Sequence, residues 1–179
     1  MSDVARCVSR ALEAAGIRAV LTGGACVHLY TKGRLPSADL DYILLDAVSS
    51  ARLDAAMGEA GFSRKGNMYA HPRTRYVVEF PPGPLAIGAD LRVRPVPIRI
   101  GRASVLALSP TDACRDRLAA FYHWNDRQSL RAAVAIANRH RVGLARIRAW
   151  SEREGFGEKF GAFAEEIRRS RKGRRTAGR

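Results

Sequence analysis

Apolar residues at Val4, Val8, Leu12 and Ala15 recur at helical spacing and Gly16 follows them, so the chain is expected to open with a helix that stops at a glycine. Residues 18–22 form a short β-prone run ending in Gly23-Gly24, and residues 25–30 can again be helical. The order predicted is strand, glycine turn, helix. Residues 32–37 contain Gly33 and Pro36 and read as a loop. Residues 39–45 alternate as a strand does, with Asp39, Asp41 and Ile43 on one face and Leu40, Tyr42 and Leu44 on the other.

Further along, Ser49 or Ser50 can cap a helix that closes at Gly61. A hairpin is predicted over residues 62–69, with Lys65, Gly66 and Asn67 at its turn, and a strand over residues 74–80, near whose end lies Glu79. Residues 89–106 are rich in Val, Ile and Arg but interrupted by Pro95 and Pro97, which reads as short edge strands. Ser109, Pro110 and Asp112 make a Ser-x-x-Asp helix start with proline in the first turn, and Asp126 can cap the next helix. Weaker helical patterns occupy residues 143–153 and 158–169. Phe121, Tyr122 and Trp124 read as core at a helix end. The pattern predicts an α/β fold of the α+β kind: a mixed, mainly antiparallel sheet of about four or five strands with flanking helices, then a C-terminal helical region. The expected division is a core over 1–108, helices over 109–169 and a disordered basic tail over 170–179.

Composition adds the partner class. The 179 residues carry a formal net charge of +14, and residues 168–179 hold six Arg and Lys172 without an acid, so attraction to polyanions is expected. Three widely separated cysteines, Cys7, Cys26 and Cys114, give neither a disulfide framework nor metal-ligand spacing. No apolar run is long enough to span a bilayer and the first residues do not read as a signal peptide, so no membrane partner and a cytoplasmic location are expected. His28, His71, His123 and His140 also lack metal spacing.

The chemistry is concentrated in residues 21–44. Two carboxylates at i and i+2 on one strand point the same way, with Cα atoms about 6.5 to 7 Å apart, and can converge on one divalent ion. Mg²⁺, with Mn²⁺ as a substitute, suits one or two carboxylates completed by phosphate oxygens. A two-metal site would need a third carboxylate nearby. Glycines before a helix let the backbone approach a triphosphate, which the free amides favour. Gly23-Gly24 fits that need, Lys32 and Arg34 are candidate substrate cations in the following loop, and Ser37 lies just before the acid pair Asp39 and Asp41.

Together these residues resemble the DNA polymerase beta nucleotidyltransferase superfamily, in particular its small bacterial members related to abortive-infection and toxin-type nucleotidyltransferases. The likeness rests on a strand ending in Gly23-Gly24, a short helix, and Asp39-x-Asp41 followed by the run from Tyr42 to Leu45. It covers about residues 17 to 135 and is strongest at the glycine and acid motifs. The resemblance implies a third acid from a later strand of the same sheet, best matched by Glu79 with Asp90 as competitor. It also implies that Arg115 or Arg117 approaches nucleotide phosphates and that Asp126 lies near the cleft. By the same likeness the expected activity is Mg²⁺-dependent transfer of a nucleoside monophosphate from an NTP, with RNA, including tRNA, as a plausible acceptor given the positive charge. The competing expectations are a noncatalytic nucleic-acid-binding module on the same fold, and one half of a toxin–antitoxin pair with a protein partner.

Overall fold

The computed structural model describes residues 1–177, with side chains as far as Lys172. Its elements in chain order are α1 (Ser2–Ala14), β1 (Ala19–Leu21), α2 (Gly23–Tyr30), β2 (Asp39–Leu44), α3 (Ser50–Glu59), β3 (Ser63–Lys65), β4 (Met68–Ala70) and β5 (Val77–Glu79). They continue with β6 (Val96–Ile100), β7 (Ala103–Ala107), α4 (Pro110–Trp124), α5 (Arg127–Ala137), α6 (Leu144–Arg153) and α7 (Gly157–Ala177). Two compact units result: residues 1–86 with 91–109, and residues 87–90 with the chain from residue 110 onward.

The first unit holds one seven-stranded sheet in the order β3-β4-β5-β2-β1-β7-β6. Four neighbouring pairs are antiparallel, whereas β1–β7 and β2–β5 run parallel. The expected mixed, mainly antiparallel sheet is therefore present, with more strands than the pattern indicated. The hairpin expected over residues 62–69 is β3 and β4, and the short strands expected within 89–106 are β6 and β7; it is their joining into one sheet that exceeds the expected number. β6 is an edge strand, where the missing N–H of Pro97 costs least, but β7 is not: it lies between β6 and β1. Its parallel pairing sets Ala107 beside Leu21 through a connection no local pattern reveals.

One face of this sheet is its core. Leu40, Val78 and Tyr69 share a row across β2, β5 and β4, with Tyr42 next along β2, and all four are buried. Helix α1 brings the buried side chains Ala5, Val8 and Leu12, spaced one turn apart, and packs against β7 and α3. The Tyr42 hydroxyl donates to the Ala5 carbonyl at 3.2 Å and shares a hydrogen bond with Ser9 at 3.1 Å, which ties α1 to the central strand. Burying all these side chains contributes roughly 1.5–3 kcal/mol each for the larger ones.

The second unit is helical. α4 packs on α5, and α7 lies against α5 and α6 around Leu118, Tyr122, Ile136, Ile147, Trp150 and Phe163. Tyr122 stacks on Trp150 and Phe156 with ring centroids 5.7 and 5.0 Å away. Phe121 and Tyr122 are core as expected, but Trp124 is 77% exposed, because Asn125 at φ +53° ends α4 and turns the chain away. α7 also departs from expectation, remaining helical to Ala177 where a disordered tail was predicted from residue 170. Asn138 donates to Ser170 Oγ at 2.7 Å and the Arg171 guanidinium to the Ala137 carbonyl at 3.4 Å, which anchors that stretch to α5. Cations at a helix C-terminus are also favoured by its dipole. Gly178 and Arg179, the last of the predicted tail, lie outside the described residues. Among the described residues no helix is long and apolar enough to cross a membrane.

Candidate active site

The strand-to-helix bend after β1 has one conformation that only glycine adopts readily: Gly23 sits at φ +61°. A Cβ at Gly23 would lie 2.3 Å from Asp41 Oδ2, and one at Gly24 would lie 2.3 Å from Ser37 Oγ. The diglycine is thus in contact with the acid strand and its approach. Ser37 Oγ in turn donates to Asp39 Oδ1 at 3.0 Å, fixing one carboxylate of the pair.

Backbone bonds lock this arrangement. Thr22 N–H donates to the Asp41 carbonyl at 2.9 Å, and the Thr22 hydroxyl donates to the same oxygen at 3.3 Å. The hydroxyl is therefore used on β2, and no side chain caps α2. Amides in the first turn of a helix lack intrahelical acceptors and favour an anion. Thr22 was not singled out from the sequence; a threonine directly before Gly-Gly was the available signal.

The parallel β2–β5 register sets Asp39 opposite Val77 and Asp41 opposite Glu79. Neighbouring strands are about 4.8 Å apart and register partners share a face, so Asp39, Asp41 and Glu79 occupy one face, opposite the buried Leu40, Tyr42 and Val78. All three acids are partly exposed. Among the described residues no three His, Cys, Asp or Glu side chains form a ready cage for a metal ion. Two oxygen-donor carboxylates are nevertheless the kind of donor Mg²⁺ takes beside phosphate oxygens.

Lys32 and Arg34 are exposed in the loop after α2. This loop turns through two left-handed residues, Lys32 at φ +53° and Gly33 at φ +78°. It is tied by Leu35 N–H donating to the buried Thr31 Oγ1 at 3.3 Å and by Gly33 N–H donating to the His28 carbonyl at 2.9 Å. The His28 ring lies under Gly33, where a Cβ would sit 3.4 Å from its Cε1. Desolvation by burial, aided by the N-terminal ammonium, pushes the His28 pKa down. Its Nδ1 is buried without a hydrogen-bond partner.

Four residues of the expected set, Arg115, Asp90, Asp126 and Arg117, lie in the second unit, each with a partner there. Arg115, expected on nucleotide phosphate, is fully buried, its guanidinium donating to Asp112 Oδ1 at 2.8 Å and Asp90 Oδ2 at 2.6 Å while lying 4.9 Å from the Trp150 ring centroid. Held by two carboxylates and an aromatic face, the guanidinium ties its own unit together, although its buried Nε has no hydrogen-bond partner among the described residues. Asp90, the competing third acid, is engaged by that arginine in the segment 87–90 and is not on a strand. The same segment is clamped by Trp150 Nε1 donating to the Ile87 carbonyl at 3.2 Å and Ala89 N–H donating to Glu154 Oε1 at 3.0 Å. Asp126, expected near the cleft, caps α5: it accepts from Gln128 N–H at 2.8 Å and Ser129 Oγ at 2.7 Å. Arg117 bonds its neighbour Asp116 at 2.7 Å.

No protein-family model matches the chain, and no curated protein matches it. Its architecture is similar to the crystal structure of an antigenic nucleotidyltransferase-like protein from Paracoccidioides brasiliensis, with a TM-score of 0.60 and 16% identity over 75% of this chain and 74% of that one. At that identity the likeness speaks for the fold alone. The chain therefore has a nucleotidyltransferase-like α/β fold.

Proposed function

We propose that the chain is a nucleotidyltransferase that moves a nucleoside monophosphate from an NTP to an acceptor hydroxyl or phosphate. The observation that carries this reading is the contact between Gly23 and Asp41, which puts a bend without side chains and a carboxylate pair in one place. In this reading the backbone at Gly23-Gly24 and the uncapped first turn of α2 receive the β and γ phosphates. Asp39, oriented by Ser37, and Asp41 hold Mg²⁺, which would neutralise phosphate charge and orient the α phosphorus. Glu79, beside Asp41 in register, completes the acid set and takes the acceptor's proton. The acceptor oxygen forms a bond to the α phosphorus, the bond from that phosphorus to the bridging oxygen breaks, and pyrophosphate leaves with the electron pair. Lys32 and Arg34 supply mobile-length cations for the phosphate chain. Catalysis then comes chiefly from positioning and charge stabilisation.

RNA, including tRNA, is the favoured acceptor, because a net charge of +14 suits a polyanion better than a neutral small molecule. The test incubates the purified chain with each α-labelled NTP, Mg²⁺ and total cellular RNA or protein. Label transfer that falls about 100-fold or more in Asp39→Ala and Asp41→Ala is the expected result. Absence of transfer for every nucleotide by folded protein contradicts the reading and leaves a noncatalytic binding module or an inhibited partner protein.

A further inference from the structure

Residues 127–151 contain six Arg and no acid, and residues 167–179 contain seven Lys and Arg and no acid. These segments are separate in sequence, yet two bonds bring them together. Asn138 reaches Ser170 at 2.7 Å, and Arg171 reaches the Ala137 carbonyl at 3.4 Å. The loop after α5 therefore emerges beside the last described turns of α7. Arg139 and Arg141 lie on that loop, within about 11 Å of extended chain from Asn138. Arg168, Arg169, Arg171 and Lys172 lie on α7, all exposed, as is Arg141. The nearest acid on α7 is the pair Glu165 and Glu166, and Glu165 is taken by Arg169.

Part of this charge has a structural use. Arg171 on the α5 carbonyl and Arg139 on the Ala135 carbonyl, at 3.3 Å, both compensate a helix C-terminus. Each uses only part of a guanidinium with five donors, and Arg141 and Arg168 are not needed for it. Like charges held together on a folded surface repel one another unless an extended anion lies across them.

We propose that the end of α5, the loop carrying Arg139 and Arg141, and α7 around Arg168–Lys172 form a docking surface for the phosphodiester backbone of nucleic acid. Repeated exposed cations suit repeated phosphates read without regard to base. The surface belongs wholly to the second unit. It stands apart from the nucleotidyl-transfer reading, since binding here needs neither an NTP nor Asp39 and Asp41.

The test measures fluorescence anisotropy of a short labelled single-stranded RNA with the full chain, without nucleotide, across a salt series. Arg139→Gln, Arg141→Gln and Arg168→Gln together are expected to weaken binding roughly 10-fold or more and to lower the log–log salt slope by about 2. Arg10→Gln, Arg99→Gln and Arg102→Gln, which remove the same charge from the first unit, are expected to change affinity only about 3-fold or less. Lysine at 139, 141 and 168 should keep affinity near the unsubstituted level, with every variant folded at the assay temperature by circular dichroism. Equal losses in the two glutamine variants would reduce the effect to net charge and overturn the proposal. So would a lysine variant as weak as the glutamine one, or retention of phosphatidylserine vesicles with no RNA bound.

Discussion

At the scale of single residues, the site depends on two glycines for different reasons. Gly23 needs both its left-handed φ of +61° and the space that Asp41 Oδ2 fills. Gly24 needs only space, because its obstacle is Ser37, with the Oγ 2.3 Å and the Cβ 3.0 Å from an added Cβ. Gly24→Ala should therefore lose about 1–3 kcal/mol in urea unfolding, and adding Ser37→Gly should return most of it, whereas the same addition should not rescue Gly23→Ala. Loss without rescue would mean that Ser37 is not the obstacle. His28 gives a pH dependence with a definite sign. Its folded pKa is depressed, by burial first, so the unfolded state binds more protons below the ordinary histidine pKa of about 6.5. Stability contributed by neutral His28 is then present above that value and declines as pH falls through it. Urea midpoints measured between about pH 5 and 8 should rise with pH, and the rise should flatten in His28→Phe. That Gly23-Gly24 meets Ser37 and Asp41 could be anticipated, because the glycine and acid motifs lie on consecutive elements of the chain; the contacts of Thr22 and His28 could not, since they depend on which backbone oxygen or loop each one meets after folding.

At the scale of elements, short-range signals translated well. The helix stop at Gly16, the turn at Gly66 and the proline start of α4 all fall where side-chain chemistry placed them. Asp126 does too, accepting two hydrogen bonds at the start of α5. Its pKa is lowered, chiefly by the Ser129 hydroxyl, so its contribution is present above the unfolded carboxylate pKa and is lost as pH falls through the folded value. Asp126→Ala should cost about 1 kcal/mol near neutral pH, measured by chemical denaturation, and the difference should shrink in acid. A variant as stable as the unsubstituted chain would show that the cap carries no net energy. What local signals could not supply was strand order. The placement of β7 inside the sheet and of Glu79 beside Asp41 both rest on parallel pairings between distant segments, β1–β7 and β2–β5.

At the scale of the whole molecule, the basic charge serves two different ends. Arg115 is consumed internally: removing it would take a buried cation from both Asp112 and Asp90, although Asp112 also pairs with the half-exposed Arg146 at 3.2 Å. Arg115→Ala should destabilise by about 3–5 kcal/mol in denaturant titrations, and a near-neutral effect would contradict the structural role assigned here. Arg115 was misread from sequence because a helix-borne arginine looks alike whether it faces a ligand or an interior carboxylate. The surface cations of α7 are the other case, and their helical setting was missed because the stretch has no apolar residues of its own; it is ordered by Asn138 and Ala137 from α5. The account as a whole rests on Asp39 and Asp41 acting as metal ligands once phosphate is present. Its most direct test is Mn²⁺ binding to the full chain, followed by electron paramagnetic resonance with and without a non-hydrolysable NTP analogue. Binding that strengthens with nucleotide and disappears in Asp39→Asn, Asp41→Asn is the predicted result, and Mn²⁺ uptake unchanged by that double substitution would contradict it.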